Sequence, residues 1–276
     1  MVGRRTVLAG ATLGGLAACA LKGQTNVNAL PDKRQTFVLV HGTWHGGWVW
    51  KYVRNILEDA GHRVFTPTLT GCGERVHLSS PDVGLDTHIK DIINVIEFED
   101  LTDVFLVGHS FTGVAITGVA DRLKDRIKHI CFFDALVPFG DRMSGAPRKP
   151  DGSLADYFVK RQSSFIDGYK MDLFADYPLK MLLPEDHSKA DWVRSKITTH
   201  PAKTWMDVLT LKNGGWSDVP RSFIHCVGQK FAMSSEKMVG PARQPGWQFI
   251  ELDIYRDGMV THPELVAKTF LKLAEA

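Results

Sequence analysis

Six short β-prone runs, separated by stretches long enough for amphipathic helices, constrain this chain more than any other feature. They fall at 37–40, 63–66, 104–107, 127–133, 222–227 and 247–252, with helical spacing at 48–60, 86–98 and 110–123. Strands alternating with helices predict an α/β fold, a mostly parallel central sheet flanked by helices on both faces. A last helix is expected at 263–274, with Thr261 or His262 as its cap and Pro263 in the first turn, where a proline is tolerated. Between 139 and 220 the alternation fails. Pro, Gly, Trp and Met interrupt short helical patches there, which predicts a helical cap insertion over the carboxyl edge of the sheet, where open α/β sheets place their sites.

A chain of 276 residues, 44% hydrophobic and 23% charged, is large enough for one sizeable core and too ordinary in composition for a disordered or polytopic membrane protein. The formal charge of +2 and the lack of a clustered basic stripe argue against nucleic acid as a partner. The N-terminus reads separately. Arg4-Arg5-Thr6-Val7-Leu8 resembles a twin-arginine export signal, and the apolar run at 6–18 is shorter than the roughly 20 residues that cross a bilayer. Leu16-Ala17-Ala18-Cys19 resembles a bacterial lipoprotein cleavage box, so Cys19 is the expected lipidation site. The expected organisation is an export signal at 1–18, a tether at 19–34 and a folded domain at 35–276 with its cap at about 139–220. The expected location is the periplasm or a membrane surface, reached through a lipid anchor on Cys19. The sequence leaves oligomeric state open.

Of the other cysteines, Cys131 and Cys226 lie inside apolar runs and read as small buried hydrophobes, with Cys72 unassigned. No Cys/His spacing suggests a metal site and no Gly-rich phosphate loop is present, so neither a metal nor a cofactor is expected.

The chemistry centres on Ser110. Residues 104–113, VFLVGHSFTG, join an apolar strand to a helix start through a Gly-x-Ser turn, the pattern of a nucleophile elbow. Such a turn strains the serine backbone, exposes its hydroxyl and sets it at the positive end of a helix. The glycine usual two residues after the serine is Thr112 here, with Gly113 following. Upstream, Val40-His41-Gly42-Thr43-Trp44-His45-Gly46-Gly47-Trp48 places glycines right after a strand, where backbone N–H groups can point into a site. The amides of Thr43 and Phe111 are the expected oxyanion hole. Trp44, His45 and His109 are candidate substrate contacts, and the last two have ordinary structural roles as the alternative. Trp48 and the cap aromatics Tyr157, Phe158, Phe165, Tyr169, Phe174, Trp192 and Trp205 suit either a hydrophobic small-molecule cavity or plain core.

The stretch 37–138, with His41-Gly42, His45-Gly46, Gly71-Cys72-Gly73-Glu74-Arg75 and Gly108-His109-Ser110-Phe111, resembles the α/β-hydrolase superfamily, and the likeness resumes at 219 and runs to the C-terminus. Within it the closest look is to plant methylesterases and hydroxynitrile lyases and to bacterial pyrethroid-hydrolysing carboxylesterases. The resemblance implies an α/β-hydrolase fold and ester hydrolysis by a serine, a histidine and an acid. In bacterial relatives the base sits in a pattern like Gly-His-Asp-Ala-Met-Val-Thr-His-Pro; this chain reads Tyr255-Arg256-Asp257-Gly258-Met259-Val260-Thr261-His262-Pro263, putting Arg256 at the base position. Arginine stays protonated in proteins and cannot be a general base. Gln229 falls where the family acid is expected and is a further candidate substrate contact. His262 is the nearest stand-in base, with helix capping as its ordinary role, and Asp134 at a strand end could supply the acid. Asp257 reads as a loop ion-pair member. Three readings follow: a serine-dependent carboxylesterase with a displaced histidine; a lyase, cyclase or dehydratase in which Ser110 and Arg256 polarise the substrate; or a degenerate binding protein.

Overall fold

Strands that are apolar at nearly every position must be covered on both faces. In this computed structural model, which describes residues 34–140, 142–228 and 239–275, the sheet is built that way. The expected export signal at 1–18, Cys19 and Gln229 lie outside the described residues. Strands β1 (Thr36–Val40), β2 (Arg63–Phe65), β3 (Val104–His109) and β4 (Ile127–Phe133) are followed, after the cap, by β9 (Arg221–Cys226) and β10 (Gln248–Leu252). They pair in the order β10-β9-β4-β3-β1-β2, all parallel. The fully buried β3 lies inside; exposed positions fall on the edge strands β2 and β10 and at Lys128 of β4.

Strand alternation divides the core in two. Val38, Val40 and Leu106 face one cluster, closed by Ile89, Ile92 and Ile96 of α2 (Leu85–Phe98) and by Val114 and Val119 of α3 (Thr112–Leu123). Phe37, Leu39 and Val107 face the other, closed by Val53 and Leu57 of α1 (Lys51–Asp59) and by Val266 and Phe270 of the last helix (Pro263–Glu275). Cys131 and Cys226 are buried free thiols in this core, and Cys72 is a third.

The segment between β4 and β9 is less helical than its sequence suggests. It holds β5 (Arg142–Met143), α4 (Asp156–Arg161), β6 (Lys170–Met171), α5 (Leu173–Asp176), α6 (Ala190–Arg194), β7 (His200–Pro201), α7 (Lys203–Met206) and β8 (Leu209–Thr210). Helices this short do not stabilise themselves. The antiparallel pairs β5 with β8 and β6 with β7 tie the segment together instead. Phe158, Phe165 and Trp205 are buried, whereas Tyr157 and Phe174 are exposed and line no interior cavity.

Candidate active site

The sharp strand-to-helix turn expected at Ser110 is present. Ser110 has φ +61°, in the left-handed region that costs a non-glycine residue about 1–3 kcal/mol. Neighbouring backbone holds it there: the Ser110 amide donates to Phe133 O (3.2 Å), and Ser110 O accepts from Leu136 N (2.8 Å) and Gly113 N (3.3 Å). Two glycines make the turn possible. A Cβ on Gly42 would sit 2.9 Å from Ser110 Cβ, and one on Gly113 would sit 2.0 Å from Leu136 O. The second contact accounts for the shifted motif. Thr112 is tolerated because its hydroxyl donates to His109 O (2.8 Å), while the close backbone approach falls on Gly113.

Ser110 is 8% exposed, and its hydroxyl has no hydrogen-bond partner among the described residues. The Thr43 and Phe111 amides are likewise unengaged among the described residues. Thr43 lies in the loop after β1, whose Gly42 approaches Ser110, and Phe111 lies at the head of α3. Trp44, beside Thr43, is held at φ +69° and packs edge-on against Tyr177 with ring centres 5.9 Å apart.

Arg256 follows β10 and is 5% exposed. Its Nη1 donates to Asp134 Oδ2 (2.5 Å) and its Nη2 to Asp134 O (3.0 Å). Asp134 ends β4 at φ +44°, and its Oδ1 also accepts from Cys226 N (3.4 Å). The acid candidate and the substituted base are therefore brought together as a buried ion pair, and neither is hydrogen-bonded to Ser110. Asp257 does not pair with the neighbouring Arg256; its Oδ2 lies 3.0 Å from His45 Nε2. The other ring nitrogen of His45 donates to Thr43 O (2.8 Å), so neither nitrogen is available to the serine. This contact ties the Arg256 loop to the oxyanion loop.

All eleven histidines lie within the described residues, and none is hydrogen-bonded to Ser110. His262 is exposed, its ring turned to the Thr261 hydroxyl at 2.9 Å, so the structure does not bring this stand-in base into the site. His109 and His45 are shut away from solvent at 1% exposure. His109 has both ring nitrogens unpartnered among the described residues. Burial first, then the Arg256 charge, hold it well below the usual histidine range. Like the His45–Asp257 contact, a second one escaped the sequence reading. Trp205 on α7 donates from Nε1 to Thr43 Oγ1 at 3.1 Å, and nothing in the spacing of its segment marks which of the cap aromatics reaches the sheet.

A family model for the alpha/beta hydrolase family matches residues 37–268. This chain belongs to the α/β-hydrolase family. A carbendazim hydrolyzing esterase of Nocardioides sp. (strain SG-4G) is 37% identical over 243 residues, spanning 86% of this chain and 98% of that protein. Methylesterase 2 of Arabidopsis thaliana is 26% identical over 207 residues, spanning 70% and 78%. Among solved structures, an extracellular alpha/beta-hydrolase from a Paenibacillus species, described as sharing structural and functional homology with tobacco salicylic acid binding protein 2, aligns with a TM-score of 0.72 at 26% identity. It covers 87% of this chain and 98% of its own. The chain is an α/β-hydrolase-family enzyme with esterases and an alpha-hydroxynitrile lyase of Arabidopsis thaliana among its relatives.

Proposed function

We propose that this protein hydrolyses small hydrophobic carboxylic esters with Ser110 as nucleophile and the Thr43 and Phe111 amides as its oxyanion hole. The observation that carries the reading is the strained Ser110 backbone at the head of α3 beside two unengaged amides, an arrangement that has a backbone cost and no evident structural return. The esterase relatives support it. Attack by Ser110 Oγ on the ester carbonyl places negative charge on an oxygen that both amides can reach, and the helix dipole of α3 favours that charge. With Arg256 at the base position, the serine proton leaves to solvent rather than to an imidazole. Ser110 attack is then assisted only by oxyanion stabilisation and binding, so turnover falls orders of magnitude below that of a complete triad. Activated esters with good leaving groups are the expected substrates.

The Arg256–Asp134 pair favours a second reading, in which the scaffold performs a lyase, cyclase or dehydratase reaction and Ser110 and Arg256 polarise a substrate oxygen. Turnover of p-nitrophenyl acetate by the full chain, beside Ser110→Ala and Arg256→His, separates the two. Activity abolished by Ser110→Ala supports the hydrolase. An inert parent with an active Arg256→His variant would mean that the hydrolytic site has been dismantled, and the second reading would stand. For the leader we propose export and lipid attachment at Cys19; Cys19→Ser should move the mature protein from the membrane to the soluble fraction.

A further inference from the structure

One cap side chain touches both residues that the proposed oxyanion hole uses. Trp205 Nε1 donates to Thr43 Oγ1 at 3.1 Å, and its indole stacks on the Phe111 ring with centres 5.0 Å apart and planes 16° apart. Thr43 follows β1 and Phe111 follows β3, so this indole bridges two loops that enter the site separately. Trp205 is itself fixed within the cap: its carbonyl accepts from Ala146 N (2.8 Å), its amide donates to Ala202 O (3.0 Å), and Phe158 lies parallel on it at 6.4 Å.

The opposite approach to Phe111 is also held. His200 meets the Phe111 ring edge-on at 5.8 Å. The Thr204 hydroxyl donates to Pro201 O (2.7 Å), so the Nε2–H of His200 donates to Thr204 Oγ1 (2.9 Å). Its Nδ1 is left to accept from the Cys72 thiol (3.3 Å). That chain of bonds fixes the ring tautomer and its angle.

We infer that Trp205 is a positioning residue through which cap docking sets the geometry of the Thr43 and Phe111 amides. This rests on the hydrolase reading for its kinetic meaning, though not for its structural one. Oxyanion donors act through placement and pay no reorganisation during reaction, so a small drift of either amide reduces kcat more than it changes ground-state binding. The Nε1–H bond supplies the link to Thr43, and the stack supplies the link to Phe111.

The test is a double-mutant cycle on the full chain with Trp205→Phe, which removes the donor and keeps an aromatic ring, and Thr43→Val, which removes the acceptor. It is read by p-nitrophenyl acetate hydrolysis and by the amide 15N shifts of Thr43 and Phe111. Each single variant should lower kcat by about 3- to 30-fold with KM within about twofold, and the double should be no worse than the poorer single. Trp205→Phe should also shift the Thr43 and Phe111 amide resonances. Unchanged kcat in Trp205→Phe, or losses that multiply in the double variant, would overturn the inference. If the parent shows no Ser110-dependent turnover, the hydrolase reading fails and the shifts alone decide: unmoved Thr43 and Phe111 amides sink the positioning role. If Trp205→Phe does not fold, the Thr43→Val variant is read for the same loss in kcat, and for displacement of the Trp205 indole N–H resonance where turnover is absent.

Discussion

Arg256 forms a buried ion pair with Asp134 and cannot take up a proton from Ser110. Its guanidinium satisfies the carboxylate and the carbonyl of Asp134 in a nearly dry setting, so the pair's worth is conditional on both partners. Removing one member leaves an uncompensated buried charge, whereas replacing both with apolar groups is often close to neutral. Arg256→Leu alone should therefore lose about 3–5 kcal/mol in urea unfolding, and Arg256→Leu with Asp134→Leu should recover most of it. A double variant as unstable as the single would show that the stability comes from packing rather than charge. The same substitution governs how rate depends on pH. His109 is held well below the usual histidine range by burial and by Arg256, and the other ten histidines make no contact with the nucleophile. No imidazole remains to titrate as base near neutrality. Ester turnover should then climb with hydroxide through about pH 6–9, and a plateau set by a group near 6.5 would sink the base-free mechanism.

Among the elements, α3 shows how a departure from a motif is absorbed. Helix and strand approach so closely that a Cβ at Gly113 would overlap Leu136 O, yet Leu136 N also holds Ser110 O. Gly113→Ala should therefore disturb both packing and the elbow, costing about 1–3 kcal/mol and most of the ester turnover. Thr112→Gly, which restores the usual pattern, removes the Thr112–His109 bond and adds helix entropy cost, so it should lose about 1 kcal/mol and gain no activity. Thermal midpoints of the two variants rank these effects, and a more stable Thr112→Gly would contradict the account. The six strands, α1 to α3 and the last helix were legible because their apolar periods of two and 3.6 act over whole segments. The strained turn at Ser110 and the glycine loop after β1 were legible because an elbow and a glycine loop are local patterns. His45 with Asp257 and Trp205 with Thr43 were not, since each pair is separated by more than 160 residues and no periodicity links them. The cap was legible only as an interruption. Its helices run four to six residues, too short to leave a helical period, and its ties are two-residue strands.

Across the whole molecule, the buried histidines outnumber what the site can use, and they set the response to acid. Burial pushes His41 down to about 3 and His129 down to about 4, and lowers His88, His109 and His200 as well. His41 shows why the neutral form is built in: one ring nitrogen accepts from Leu69 N while the other donates to Gly42 O. A folded imidazole with a depressed pKa binds fewer protons than the same group in the unfolded chain once the pH falls below about 6.5. Stability is then full above that value and is lost as pH falls, through about 4 for His129 and about 3 for His41, at about 1.4 kcal/mol per group per pH unit. With several groups acting together, the unfolding free energy should fall by several kcal/mol between about pH 6.5 and 5, before carboxylate protonation contributes. Urea titrations at pH 7, 6 and 5 measure this directly. The drop should shrink in His129→Gln, whose amide can retain a hydrogen bond to Ser222 Oγ without acquiring a charge. An unfolding free energy that stays level over this interval would mean that these imidazoles are protonated in the folded chain, contrary to their burial.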